Sequence, residues 1–190
     1  MIRPLVVSVA LVLLVAGGGA AAASFTLDDR AKQAALKAGE RSTLAEGFDR
    51  EWRVSGQGGE TLTVLTPFHR LLLAARNATF KNDPLKPAEI ERVLKQDAQR
   101  LIVWVHLRGR SEDFARHYVP RLLDGTRDIK ATFVQNERTA LRQDDGAYVA
   151  RCVYGFPIRD LNGGSRVELG VADSDGRDVS RFTIDLSGMR

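Results

Sequence analysis

The sequence contains a single cysteine, Cys152, so the chain cannot form an internal disulfide. A protein of 190 residues with one cysteine must rest on an apolar core rather than on covalent cross-links. At strand spacing, Cys152 shares a face with Ala150 and Tyr154. We therefore expect a buried cysteine that packs as a small hydrophobic residue.

Blocks of one charge are also missing. The 28 Lys and Arg residues are interspersed with 24 Asp and Glu residues, as at Arg121, Asp124, Arg127 and Asp128. Nucleic-acid-binding proteins instead show a basic patch, often with interleaved aromatic residues. The mixed pattern predicts a solvated surface, and we expect no nucleic-acid partner.

Catalytic and cofactor motifs are absent from the sequence. There is no Gly-x-Ser-x-Gly pattern and no His-Glu-x-x-His pattern. The glycine-rich stretch at residues 56–59 precedes a strand-like segment, so it lacks the helix N-terminus that holds a phosphate. These absences favour a non-catalytic protein, and no cofactor is predicted.

The one long apolar run lies at the N-terminus. Arg3 is the only charge before Asp28, residues 5–16 are almost entirely aliphatic, and residues 17–23 are all Gly or Ala. A positive start, an apolar middle and small residues at the end are typical of a signal peptide. Ala21 and Ala23 provide small side chains at the −3 and −1 positions. We therefore predict a signal peptide over residues 1–23, with cleavage near Ala23 and a periplasmic or secreted product.

An uncleaved membrane anchor is the alternative, because the run approaches the roughly 20 apolar residues that a membrane span requires. The glycines at 17–19 break the helix, so the pattern favours cleavage and no stable membrane anchor afterwards. A lipoprotein is excluded because no cysteine lies at the boundary.

The remaining residues suggest an arm followed by one domain. Residues 24–59 are predicted to form an N-terminal helical arm and linker, with a helix over residues 25–41 whose apolar face consists mostly of alanine. Such a weak face predicts light packing. Residues 60–190 form a single β-rich domain with helices near 67–80 and 87–97, where Thr66 and Pro67 provide a helix start.

Strand patterns dominate the second half of the chain. Residues 101–107 are apolar on both faces, as in a central buried strand. Further strands are predicted in two hairpins, one around the turn pair Asp124-Gly125 and one around Asp175-Gly176. The first comprises residues 114–123 and 129–135, although residues 114–118 could form a helical turn instead. The second comprises residues 165–172 and 179–186, and a single strand covers 147–156. The predicted fold is mainly β (α+β), an antiparallel immunoglobulin-like β-sandwich with two or three peripheral helices.

The signal peptide and the closing segment at residues 167–178 together resemble small uncharacterised exported proteins of Gram-negative bacteria. The closing segment alternates Val167, Leu169 and Val171 with Glu168 and Gly170 before its acidic turn. The resemblance implies an exported protein with an immunoglobulin-like sandwich. It implies no functional residues.

Two sets of residues are candidates for metal binding. His106 and His117 would approach each other if their strands are neighbours, and Glu112 or Asp113 could complete a zinc site. Asp173 and Asp175, with Asp178, form an oxygen-rich loop of the kind that binds calcium. The alternatives are a hydrogen-bonded His106, a surface His117 and a plain hairpin turn.

Two functions follow from these observations. The first is a non-catalytic binding or assembly module that contacts another envelope protein through an edge strand or through residues 25–41. The second is a metal-binding protein or metal-dependent enzyme that uses His106, His117 and nearby carboxylates.

Overall fold

A computed structural model describes residues 23–190, so the predicted signal peptide lies outside the described residues except for Ala23. The described chain contains three α-helices and ten strands. In chain order they are α1 (Asp29–Ser42), β1 (Arg53–Ser55), β2 (Thr61–Leu65), α2 (Pro67–Phe80), α3 (Pro87–Lys95), β3 (Arg100–Gly109), β4 (Val119–Asp124), β5 (Arg127–Lys130), β6 (Phe133–Gln135), β7 (Leu141–Arg142), β8 (Tyr148–Pro157), β9 (Arg166–Ala172) and β10 (Asp178–Asp185).

The strands form two antiparallel sheets. The first has the order β1-β2-β3-β8-β6, and β7 pairs with β8 beyond the end of β6. The second has the order β10-β9-β4-β5. The longest pairing joins β3 to β8 from Arg100↔Pro157 to Gly109↔Tyr148. The predictions of a mainly antiparallel β fold and of accompanying helices are confirmed.

One hydrophobic core lies between these elements. Alternate residues of β3 (Leu101, Val103, Val105 and Leu107) are buried, and they belong to the same cluster as Leu122, Leu169, Phe182 and Ile184 of the second sheet. The alternation follows from strand geometry, which directs successive side chains to opposite faces. The other face of β3 is only partly covered, because Trp104 is 38% exposed. The expectation that both faces of this strand are buried is therefore wrong.

The predicted hairpin around Asp124-Gly125 is correct only for its first part. Gly125 adopts a positive φ of 60° in the turn, and β5 pairs with β4. The chain then crosses to the other sheet, where β6 pairs with β8. Residues 114–117 form turns and Tyr118 is irregular, so β4 begins at Val119 and the alternative of a turn before it is the better description.

Helix starts follow local hydrogen-bonding chemistry. The Asp28 carboxylate accepts the N–H of Ala31 at 2.7 Å, and the Thr66 hydroxyl accepts the N–H of His69 at 3.1 Å. Each bond satisfies a backbone donor that the first helical turn leaves unpaired. Helix α2 thus begins at Pro67 as predicted, whereas α1 begins at Asp29 instead of residue 25. Within residues 23–190, every helix is too short or too polar to cross a membrane.

The segment predicted as an arm packs closely against the rest of the chain. Ala35 and Gly39 of α1 are buried, and a Cβ added at Gly39 would lie 2.5 Å from the Leu72 carbonyl oxygen of α2. Trp52 is fully buried, and β1 extends the first sheet by pairing with β2. The small residues that suggest a weak face instead allow the helices to approach closely, so the light packing predicted for this segment is not observed.

Candidate functional site

The structure places His106 on the outer face of the first sheet. It lies opposite Thr61 on one side and Arg151 on the other. Burial lowers the pKa of His106, and the positive charge of Arg151 lowers it further. A neutral imidazole can bind a metal, but an adjacent guanidinium disfavours a second cation.

His117 lies in the turns before β4, beside Arg116 and Arg138. The three side chains line one shallow cleft. Within residues 23–190, no group of three or more His, Cys, Asp or Glu side chains is arranged to hold a metal ion. The charge of Glu137 acts on the pKa of His106, but in the described part of the chain no third side chain completes a metal site there, and a metal-dependent activity stays a prediction.

Asp173 and Asp175 are engaged by Arg177 within the β9–β10 turn. The Asp173 carboxylate accepts the backbone N–H groups of Asp175 at 2.9 Å and of Arg177 at 3.0 Å. The Arg177 guanidinium also donates to both acids, at 2.9 Å and 2.7 Å. The pKa of Asp173 lies below its usual range, mainly because its carboxylate accepts a hydrogen bond from the backbone N–H of Arg177. These contacts give both carboxylates a local role in the turn.

Cys152 is fully buried and free, as predicted. Burial raises the pKa of its thiol, because the charged thiolate loses solvation in an apolar environment. A buried thiol with a raised pKa is a poor nucleophile, so its role is packing.

The most site-like feature is a groove between helices α2 and α3 and the outer face of the first sheet. Its volume is about 620 Å³, within the range of small-ligand and peptide pockets. The lining is largely apolar, with one arginine among its polar members. It comprises Leu65, Arg70, Leu73, Ala74, Asn77, Val93, Gln96, Asp97, Ile102, Trp104, Phe133, Gln135 and Val153.

Two partly exposed aromatic side chains belong to this lining. Trp104 is 38% exposed and Phe133 is 37% exposed. In the β3–β8 register, Ile102 lies opposite Gly155 and Trp104 opposite Val153. A Cβ added at Gly155 would lie 3.0 Å from the Cδ1 of Ile102 and 3.1 Å from the Cβ of Phe133. The absence of a side chain at Gly155 therefore allows Ile102 and Phe133 to approach each other.

Arg70 brings a positive charge into the groove from α2. Its guanidinium donates to the Gln96 carbonyl oxygen, which fixes the side chain against the end of α3. Its Nε is buried and has no hydrogen-bond partner among the described residues. Burial lowers the pKa of Arg70, whereas the charge of Asp97 raises it. A buried donor without a partner is unfavourable, but this nitrogen is closed to solvent, so a ligand in the groove would meet only the outer nitrogens of the guanidinium.

A second, more basic cleft adjoins the groove through Asp97. Its volume is about 750 Å³, and Lys95, Arg100 and Arg159 contribute cationic side chains to its lining. Asp97 pairs with Arg100 at 3.5 Å and Asp160 pairs with Arg159 at 3.5 Å, so Lys95 supplies the remaining positive charge at this end of the groove. It would attract an acidic partner in preference to a basic one.

The edge strand β6 borders the same groove. One side of β6 pairs with β8, and its other side has no strand neighbour within residues 23–190. Val134 in this strand is 46% exposed, and Leu141 in β7, farther along the same edge, is 67% exposed. A short free edge with apolar side chains is a place where an extended peptide can add by backbone pairing.

The residues of this groove are not those singled out from the sequence. Arg70, Trp104 and Phe133 lie on a helix and on two strands that are distant in the chain, so no spacing marks them as a group. One signal was available, since alternation along residues 101–107 places Trp104 on the face opposite the buried Val103 and Val105.

A buried histidine, His69, lies outside the groove. Its Nδ1 is 2.9 Å from the Val64 carbonyl oxygen, and its ring stacks on Trp52 with the centroids 4.2 Å apart. Burial lowers its pKa, which keeps the ring neutral. His69 is 1% exposed, so it serves the core rather than a ligand.

No protein-family model matches this chain, and neither does any curated protein sequence. The chain is similar to the crystal structure of a protein of unknown function from Burkholderia pseudomallei. The TM-score is 0.44 with 11% identity, and the match covers 85% of this chain and 91% of that chain. A similarity of this degree carries no argument about function.

Proposed function

We propose that this chain is an exported, non-catalytic binding module that holds an extended segment of another envelope protein in the groove beside Trp104. The observation that carries the proposal is one groove that is lined by two partly exposed aromatic side chains, Trp104 and Phe133, and by the guanidinium of Arg70. Apolar side chains of the segment would lie on the aromatic residues, and a carboxylate would face Arg70.

The free edge of β6 supports a polypeptide as the occupant. An extended segment placed beside β6 could exchange backbone hydrogen bonds with it, while alternate side chains enter the groove. The cations of the adjoining cleft, Lys95, Arg100 and Arg159, favour Asp or Glu in that segment. Of the two surfaces that the sequence suggests, we favour the edge strand, because Ala35 and Gly39 of helix α1 are already buried.

Export is the part of the proposal that rests on the sequence. The single Arg3, the aliphatic run at residues 5–16 and the small residues at 17–23 support a cleaved signal peptide and a periplasmic or secreted location. The finer fold prediction, an immunoglobulin-like β-sandwich, is supported by two antiparallel sheets that share one core.

Selection from a random peptide library on the purified protein tests this proposal. We expect enriched peptides that combine apolar residues with Asp or Glu, and we expect Trp104→Ala to weaken their binding by roughly 30-fold or more, as for an aromatic hot spot. Arg70→Gln should reduce the preference for acidic peptides, because the guanidinium that faces the carboxylate is removed.

Val179→Ala is the matched control for Trp104→Ala. Val179 is also 38% exposed, but it lies in β10 of the second sheet. Binding by this variant should equal that of the wild type. Failure to enrich any peptide, or equal binding by the Trp104→Ala variant, would count against the groove.

A further inference from the structure

The first described residue, Ala23, is held in the core rather than left at the surface. It is 5% exposed and belongs to the main hydrophobic cluster. Its nitrogen lies 3.0 Å from the Gly163 carbonyl oxygen and 2.9 Å from the Leu186 carbonyl oxygen. Gly163 precedes β9 and Leu186 follows β10, so two distant parts of the chain converge on this nitrogen.

A nitrogen within hydrogen-bond distance of two carbonyl oxygens forms a three-centre bond if it belongs to a peptide. A peptide nitrogen carries one hydrogen, which must be shared between both oxygens. An α-ammonium carries three hydrogens and a positive charge, so it can donate one strong bond to each oxygen. An α-ammonium at Ala23 would give each of the two oxygens a hydrogen of its own, whereas a peptide nitrogen shares one hydrogen between them.

We propose that the leader is removed at the Ala22–Ala23 bond and that the new α-ammonium of Ala23 binds the carbonyl oxygens of Gly163 and Leu186. The inference rests on the proposed export and moves the cut one residue before the one that the sequence pattern favours. A signal peptidase would hydrolyse the bond with water. The hydroxyl of the water bonds to the carbonyl carbon of Ala22 as the C–N bond breaks, which leaves a carboxylate on Ala22. The two hydrogens that are released pass to the nitrogen of Ala23 and make it an ammonium. Ala20 and Ala22 then occupy the −3 and −1 positions, where small side chains are required.

Cleavage after Ala23 would discard this arrangement. The Gly163 carbonyl oxygen would lose its bond to the nitrogen of Ala23, and the core would lose a buried methyl group. Gly163 itself is shaped for the contact, because a Cβ at this position would overlap the carbonyl oxygen of Ala23. The neighbouring Gly164 has no such restriction, since an added Cβ would meet only Asn162 Oδ1 at 3.7 Å.

Intact-mass measurement and N-terminal sequencing of the full chain, expressed with its own leader and recovered from the cell envelope, test the position of the cut. The expected product begins at Ala23. A product that begins at Ser24 or at any other residue overturns the inference while leaving export intact. A product that retains the whole leader overturns the proposed export itself, and with it this inference.

Reactivity of the α-amine tests the binding of the new terminus. In the processed wild type, acetylation of this amine at neutral pH should be about tenfold slower than in the urea-unfolded protein, the factor that corresponds to roughly 1.4 kcal/mol. Gly163→Ala should restore the fast rate by displacing Ala23, whereas Gly164→Ala should retain the slow one. A wild-type amine that reacts as fast as the unfolded one, or a slow Gly163→Ala variant, contradicts the assignment.

Discussion

Replacing Trp52 with alanine is expected to lower the free energy of unfolding by about 3–5 kcal/mol, the usual cost of truncating a buried tryptophan. Trp52 is fully buried, stacks on His69 and lies 6.1 Å from the ring of Phe68. Its Nε1 also donates to the Arg190 carbonyl oxygen at 3.0 Å. Urea unfolding followed by circular dichroism measures the loss, which is a large part of the stability of an ordinary domain.

The second tryptophan of the chain is the natural control. Trp104 lies on the outer face of the first sheet and is 38% exposed, so Trp104→Ala should cost much less stability than Trp52→Ala. Peptide affinity should instead fall more in the Trp104→Ala variant than in the Trp52→Ala variant, because Trp104 lines the groove. If the Trp52→Ala variant has the same urea midpoint as the wild type, the residues before β2 do not belong to the core.

Gly39→Leu is expected to destabilise the protein by roughly 1–3 kcal/mol, although leucine is the better helix former. The reason is overpacking, because even a Cβ at this position would lie 2.5 Å from the Leu72 carbonyl oxygen and 2.6 Å from the Ala75 Cβ. Helices α1 and α2 would have to separate. Thermal unfolding measures the effect as a lower Tm.

Ala34→Leu provides the comparison on the same helix. Ala34 is exposed, so the larger side chain there has space and should leave the Tm almost unchanged. Equal Tm values for the Gly39→Leu and Ala34→Leu variants would show that α1 is only lightly attached, as its alanine-rich face suggests from the sequence alone.

Much of the local structure could be predicted because it depends on local chemistry. Helix α2 follows from the capping hydroxyl of Thr66 and the proline at position 67, and the closing hairpin follows from alternation around Asp175-Gly176. The point where the chain passes from one sheet to the other could not be predicted in this way. Residues 129–135 read as one strand, yet their two halves pair in different sheets, because periodicity shows which face is apolar and not which strand lies beside it.

The candidate site was harder to predict for the same reason. The outward position of Trp104 can be deduced from alternation, but its proximity to the groove residues Arg70 and Phe133 arises only when α2 packs beside the first sheet. Two of the acids that the sequence suggests as metal ligands make local contacts in the structure. Arg177 engages Asp173 and Asp175 within one turn.

We expect the groove beside Trp104 to receive an acidic, extended segment of an envelope protein. The most direct measurement places a photoreactive phenylalanine analogue at position 104, or at position 179 as the equally exposed control, in the exported full chain. After irradiation of intact cells, mass spectrometry identifies any crosslinked peptide. We expect a segment that contains Asp or Glu to be crosslinked from position 104 and not from position 179. No adduct at 104, the same adduct from both positions, or a basic segment would contradict it.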